Sequence, residues 1–131
     1  MTYSTSSIAA PISLSIAIVC YHSDQRHLKQ LFVSIIDAVS QLKESSRLKP
    51  IPVYFIDNAE TETLSLSLFD DLQQQAAALQ INLHLLSGHG NIGYGRAHNL
   101  VLDRLDSAFH LMLNPDVVLD KQCMTEGIAY F

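Results

Sequence analysis

Short apolar runs alternate with amphipathic segments along the chain. Four runs, at residues 14–20, 53–56, 81–86 and 109–113, predict buried strands, and the first two are rich in β-branched residues. Between them, apolar residues recur at three- and four-residue steps. This spacing predicts a helix capped by Ser23 or Asp24 and running to Leu42, a second at about 63–79 and a third at about 96–105. Residues 121–131 are compatible with the start of a fourth.

The alternation of strands and helices determines the fold class. No clear hairpin signal joins any two strands, so right-handed crossovers give an α/β fold with a doubly wound, mainly parallel sheet. If the strand order is 3-2-1-4, the first and fourth strands flank the switch point, where such sheets bind ligands. We predict a flexible tail over residues 1–12 and one α/β domain over residues 13–131, truncated at its C-terminal end.

Composition narrows the class further. A chain of 131 residues with 48% apolar content forms one globular domain with a real core. Its net charge of −5, with no basic patch, argues against nucleic acid as a partner. Cys20 and Cys123 show no metal or disulfide spacing, and we interpret them as reduced thiols in a cytoplasmic protein. No apolar stretch reaches the ~20 residues of a membrane span.

Polar residues follow every predicted strand. The loop Tyr21–Asp24 comes after the first, Asp57 and Asn58 after the second, a glycine-rich loop (residues 87–95) after the third, and Asn114-Pro115-Asp116 after the fourth. In a parallel sheet these positions share one edge, which therefore is the candidate site. The first loop has no glycine, which excludes the usual NAD fingerprint, and the chain has no Gly-Lys-Ser/Thr phosphate loop.

The triplet Asn114-Pro115-Asp116 allows two interpretations. Amide and carboxylate oxygens suit a hard cation, and proline makes the turn stiff. The same residues are also good turn formers. The glycines of the glycine-rich loop are equally compatible with a tight turn or with backbone N–H groups facing a phosphate or sugar.

Four blocks, taken in order, resemble family-2 glycosyltransferases of the GT-A fold, especially the rhamnosyltransferase-like branch. Val-Cys-Tyr-His at 19–22 is similar to Val-Thr-Tyr-Asn, and Phe-Ile-Asp-Asn-Ala at 55–59 is similar to Val-Asp-Asn-Ala-Ser. Asn-Ile-Gly-Tyr-Gly-Arg-Ala-His-Asn at 91–99 resembles Asn-x-Gly-Phe-Gly-x-Ala-x-Asn. The triplet falls at the position of the metal motif. The resemblance covers residues ~14–120. Four blocks in the same order make it far more specific than any single block would be.

The resemblance implies the Rossmann-like, donor-binding part of an inverting enzyme that uses a dTDP- or UDP-sugar and Mg²⁺ or Mn²⁺. The sugar, for which rhamnose is a candidate, would pass to a glycan or lipid-linked acceptor in surface polysaccharide synthesis, in the cytoplasm or at the inner face of the membrane. The residues carried over are Tyr21 near the nucleotide, Asp57 at the base, Asn91, Gly93, Asn99 and Asn114 around the donor, and Asp116 at the metal and diphosphate.

Three departures from the family pattern qualify these expectations. Asn114 replaces the first acid of the usual Asp-x-Asp, which predicts weak metal affinity before the donor binds. His22 and Glu60 replace Asn and Ser. The family's general base lies after the metal motif, so we expect it beyond Phe131, and a fragment ending there would be inactive by itself. The alternative is a non-catalytic nucleotide-binding or protein-interaction domain derived from the same fold.

Overall fold

Four strands and four helices alternate along the part of the chain that the computed structural model describes, residues 10–61 and 64–131. In chain order they are β1 (Leu14–Cys20), α1 (Gln25–Lys43), β2 (Ile51–Asp57), α2 (Leu66–Ala76), β3 (Ile81–Leu86), α3 (Tyr94–Leu102), β4 (Phe109–Leu113) and α4 (Cys123–Tyr130). The predicted strands β1, β3 and β4 match in both bounds. The helix expected within residues 121–131 is α4.

The strands form one parallel sheet in the order β3-β2-β1-β4, which confirms the α/β class and the doubly wound arrangement. Cys20 at the end of β1 lies opposite Asp57 at the end of β2. On the other side, Ile18 of β1 lies opposite Leu113, the last residue of β4. The carboxyl ends of the strands therefore meet at one edge, with β1 between β2 and β4.

The sheet is covered unequally on its two faces. One face carries Ile16, Ile18 and Phe55 and packs against α1, α2 and α4 in a large apolar cluster. The other face carries Ala17 and Val19 and packs against α3 in a smaller cluster. The stripe of α1 that faces the sheet is fully buried, as its three- and four-residue spacing predicts.

Two element boundaries differ from the sequence prediction for local reasons. β2 begins at Ile51, so Pro52 lies inside it. Ile51 donates its N–H to Gln80 on the β3 side, which directs the proline nitrogen towards β1, where pairing begins only at Val53. The second predicted helix is α2 followed by a 3₁₀ turn over Ala77–Leu79, and its expected start at 63 lies outside the described residues.

The third helix and the predicted tail also differ in detail. Helix α3 spans 94–102 rather than about 96–105, because Gly93, at φ +88°, makes the turn and serves as its N-cap. Residues 1–9 of the predicted tail lie outside the described residues. At its end, Ile12 forms a parallel bridge with Leu48, and its N–H donates to the Arg47 carbonyl. No described helix is both long and apolar enough to cross a membrane.

Candidate active site

Buried polar residues close the ends of β1 and β2. The Asp57 side chain is fully buried, and its Oδ1 accepts a hydrogen bond from the Ala59 N–H at 3.1 Å. The N–H of Asn58, the residue directly after Asp57, donates to the Cys20 carbonyl at 2.8 Å. This second bond continues the pairing of β1 and β2 one residue past the end of β2. Asp57 is therefore held in a fixed position at the sheet edge, where the resemblance puts a contact to a nucleobase.

The glycine-rich loop is attached to this edge through Asn58. The Asn58 Nδ2 donates to the Gly93 carbonyl at 3.2 Å, and its Oδ1 lies 2.9 Å from His89 Nε2. Within the loop, the Gly93 N–H donates to Asn91 Oδ1 at 3.0 Å. The structure thus brings Asp57, Asn91 and Gly93 into one hydrogen-bonded region, although they are far apart in sequence.

Tyr21, His22 and Glu60 form an exposed group beside it. The Tyr21 hydroxyl donates to Glu60 Oε1 at 3.2 Å, and His22 Nε2 lies 4.0 Å from the same oxygen. The hydrogen bond to Glu60 raises the pKa of the Tyr21 phenol above its ordinary value. His22 has a φ of +50°, a left-handed conformation that turns the loop sharply. Two of the departures from the family pattern, His22 and Glu60, therefore lie together.

On the other side of β1, an open cleft of about 320 Å³ lies between the β1 loop and the β4 triplet. Its lining residues are Ser23, Asp24, His27, Asn114, Pro115 and Asp116. The predicted proximity of these two strand ends is confirmed. The cleft holds two carboxylates, but Asp24 already caps α1, since its Oδ1 accepts the Arg26 N–H at 2.7 Å. That bond and the Arg26 guanidinium hold the pKa of Asp24 below its ordinary value.

The residues of the cleft fit a hard divalent cation only in part. Asp116 offers an exposed carboxylate and Asn114 an amide oxygen, both suitable for Mg²⁺ or Mn²⁺. Among the described residues, no cluster of three or more His, Cys, Asp or Glu side chains could hold a metal. An ion at this position would therefore need oxygen atoms from a bound ligand, which is how Mg²⁺ binds in many phosphate sites.

The assignment of Asn99 to the donor stays a prediction. This residue is exposed on the second turn of α3, and its side chain makes no hydrogen bond or ion pair with the described residues. Conversely, Asn58 and His89 were not among the predicted site residues, yet they connect the loop to the strand end. The signal for Asn58 was its place directly after Asp57. The sequence contains no comparable signal for His89, because its contact is formed by the fold.

A larger, apolar groove of about 560 Å³ lies away from these residues, between β4 and α4. It is lined mainly by aliphatic and aromatic side chains, among them Phe109, Leu111, Leu119, Ile128 and Phe131. The groove has the size of a ligand pocket but lacks convergent polar groups, so we assign the site to the polar edge.

Comparisons with known proteins agree with the fold. No family model matches the sequence, and no curated protein matches it significantly. Among solved structures, the crystal structure of S. aureus TarS residues 1–349 matches with a TM-score of 0.65 at 16% identity, over 91% of this chain. TarS is a GT-A-type glycosyltransferase. The chain spans about a third of that TarS chain, 32%. It therefore has the α/β, Rossmann-like fold found in part of a glycosyltransferase.

Proposed function

We propose that the chain is the donor-binding part of an inverting, metal-dependent glycosyltransferase of family 2 that uses a dTDP- or UDP-sugar. The observation that carries the proposal is the arrangement of the sheet edge: Asp57 and the glycine-rich loop lie on one side of the β1 end, and Asn114 and Asp116 on the other. A nucleotide-sugar would match these two groups of residues, because its base lies at one end of an extended molecule and its charged diphosphate lies further along it.

Each side of the edge suits one part of that donor. The exposed Tyr21 ring offers a flat apolar surface to the base. Asp57 is the carboxylate nearest the end of β2, and because it is fully buried it would have to be uncovered to accept the imide N–H of uracil or thymine. Asn91 and Gly93 shape the loop above it. Across β1, Asp116 and Asn114 face the cleft into which the diphosphate would extend.

The transfer itself needs a good leaving group and an acceptor. The acceptor hydroxyl oxygen forms a bond to the anomeric carbon as the bond from that carbon to the diphosphate oxygen breaks, with inversion. A divalent cation, when bound, would offset the negative charge that develops on the departing diphosphate. Asp116 and Asn114 would hold it together with phosphate oxygens. No described residue is assigned as the base that receives the acceptor proton. We expect the acceptor to be a glycan or a lipid-linked glycan, with rhamnose as a candidate sugar.

Calorimetric titration tests the donor site. UDP, dTDP and their sugars are titrated into the protein with and without Mn²⁺. We expect binding that strengthens when Mn²⁺ is present, since Asp116 and the phosphates would hold the ion together. Asp116→Ala should remove the Mn²⁺-dependent part and leave the weak, metal-independent binding of the base.

Asp37→Ala is the matched control, because Asp37 is an exposed carboxylate on α1 outside the cleft. It should bind nucleotide as the wild type does. Nucleotide binding that is unaffected by both Mn²⁺ and Asp116→Ala would contradict the metal and diphosphate assignment. Absence of any nucleotide binding by a folded protein would contradict the proposal as a whole.

A second candidate function, protein interaction without catalysis, is favoured by the apolar groove between β4 and α4. Both aromatic residues at the end of this segment, Tyr130 and Phe131, are strongly exposed. The same titrations separate the candidates, because a purely interacting domain would bind neither nucleotide nor Mn²⁺ at the polar edge.

A further inference from the structure

The orientation of the Asn58 side chain follows from its partners. The Gly93 carbonyl can only accept a hydrogen bond, so the Asn58 amide must present its Nδ2 to it, at 3.2 Å. The Asn58 Oδ1 then faces His89 and can only accept, so His89 must donate from Nε2, at 2.9 Å. Asn58 is 3% exposed, and both bonds are partly buried. The chemistry therefore leaves one hydrogen-bonding pattern.

That pattern connects three segments of the site. Asn58 directly follows β2, His89 lies near the start of the glycine-rich loop, and Gly93 belongs to the turn that begins α3. The Gly93 carbonyl also accepts the N–H of Ala97 in the first turn of α3. Asn58 therefore holds the loop at two points and the start of the helix at the second of them.

We propose that Asn58 is a positioning residue that, with His89, holds the glycine-rich loop in its donor-binding arrangement. The predicted effect on donor affinity rests on the proposed function. The contact between Asn58, His89 and Gly93 can be tested without a nucleotide. His89 can donate from Nε2 both as the neutral tautomer and when protonated, so the attachment of the loop does not depend on pH in the wild type.

Asn58→Asp removes the donor that the Gly93 carbonyl needs. An aspartate with an ordinary pKa of ~3.9 is ionised at about pH 7, so it faces the Gly93 carbonyl with no proton to donate, and the two oxygens repel. Its other oxygen can still accept from His89. At about pH 7 we expect amide hydrogen-exchange protection of residues 88–95 to be roughly tenfold lower in the variant than in the wild type.

Asn82→Asp is the matched control, because Asn82 is exposed near the opposite end of the sheet. It should leave the protection of residues 88–95 unchanged. Nitrogen-15 NMR of His89 should show a proton on Nε2 in the wild type. A proton only on Nδ1, or loop protection in Asn58→Asp equal to that of the wild type, would overturn the proposal.

The binding arm uses UDP with Mn²⁺. His89→Ala should weaken UDP binding several-fold, and His89→Gln should restore most of it, because the glutamine amide can donate to Asn58 Oδ1. If wild-type protein binds no UDP while the exchange and NMR results hold, the proposed function fails and the positioning contact stands. If UDP binds but neither substitution changes its affinity, the positioning role fails and the proposed function stands.

Discussion

At the scale of single residues, Ser34 connects the core to the segment that follows the Asn114–Asp116 triplet. It is buried on α1, and its hydroxyl donates to the Leu31 carbonyl at 2.6 Å. The same oxygen accepts the N–H of Leu119 at 3.0 Å. A serine inside an apolar helix face is therefore explained by a long-range contact, which fixes the chain just beyond the cleft.

Ser34→Ala should leave the Leu119 N–H without its partner. A buried, unpaired N–H costs about 1–3 kcal/mol. The Leu119 N–H is partly buried, so the free energy of unfolding should fall by about 1 kcal/mol. Urea unfolding measures it. Ser40→Ala, at an exposed position on the same helix, should change the midpoint little. If the two variants were equally stable, the Ser34 hydroxyl would not be holding the segment after the triplet.

Both cysteines should react more slowly than an ordinary thiol, and Cys20 should be the slower of the two. Burial at the end of β1, with the nearby Asp57 charge adding to it, raises the pKa of Cys20 to about 12. Burial raises the pKa of Cys123 as well, but that side chain is partly exposed. At about pH 8, a disulfide reagent should therefore label Cys123 first and Cys20 only on unfolding, as mass spectrometry of the peptides can show. Rapid labelling of Cys20 in the folded protein would contradict this.

At the scale of elements, α3 carries a buried histidine on its inner face. His98 is 4% exposed, and neither of its ring nitrogens has a hydrogen-bond partner among the described residues. The edge of the Tyr94 ring packs on it at 4.5 Å between ring centres. Burial, with a smaller effect of His110 on β4, lowers the pKa of His98, and burial also lowers that of His110. At neutral pH both imidazoles are therefore uncharged.

These lowered pKa values make the fold less stable in acid. The unfolded chain binds protons at the ordinary histidine pKa, while the folded chain binds them only at a lower pH. The stability is therefore present above the ordinary value of 6.5 and is lost as pH falls towards the folded-state pKa. Urea unfolding between about pH 7.5 and pH 5 should show a smaller loss for His98→Leu than for the wild type. An identical slope in both proteins would exclude His98 as a source of the acid sensitivity.

Element boundaries show where the sequence pattern was insufficient. Apolar periodicity continues to Leu105, which packs against the smaller cluster although α3 ends at Leu102. The buried side chains therefore continue past the end of the helix, and an apolar periodic pattern indicates which residues are buried rather than where the helix ends. At Pro52 the sequence pattern begins the strand too late in the chain, because a proline normally lies outside a strand. Here β2 pairs with β1 only from Val53 onwards, so the missing N–H of Pro52 costs no hydrogen bond to β1. That register depends on the neighbouring strand and cannot be read from the local sequence.

At the scale of the whole molecule, local patterns were enough to predict the sheet and the edge that carries the site. Alternating elements and polar strand ends put Asp57, Asn91, Gly93, Asn114 and Asp116 at one edge, and the strand order agrees. The contacts of His89 and His98 were not predictable, since a histidine in a loop or a helix has no sequence mark of its partner. The assignment of Asn99 to the donor came from a resembling motif alone, and it stays a prediction.

The unequal covering of the two sheet faces leads to a prediction for the whole molecule. Val39 on α1 and Val101 on α3 are both fully buried, but Val39 belongs to the large cluster and Val101 to the small one. A cavity costs most where its surroundings cannot collapse into it, and α3 is the single described helix on its face. Val39→Ala should therefore lower the free energy of unfolding by about 2–3 kcal/mol and Val101→Ala by about 1–2 kcal/mol. Equal shifts of the urea midpoint would show that the α3 layer is packed as rigidly as the α1 layer.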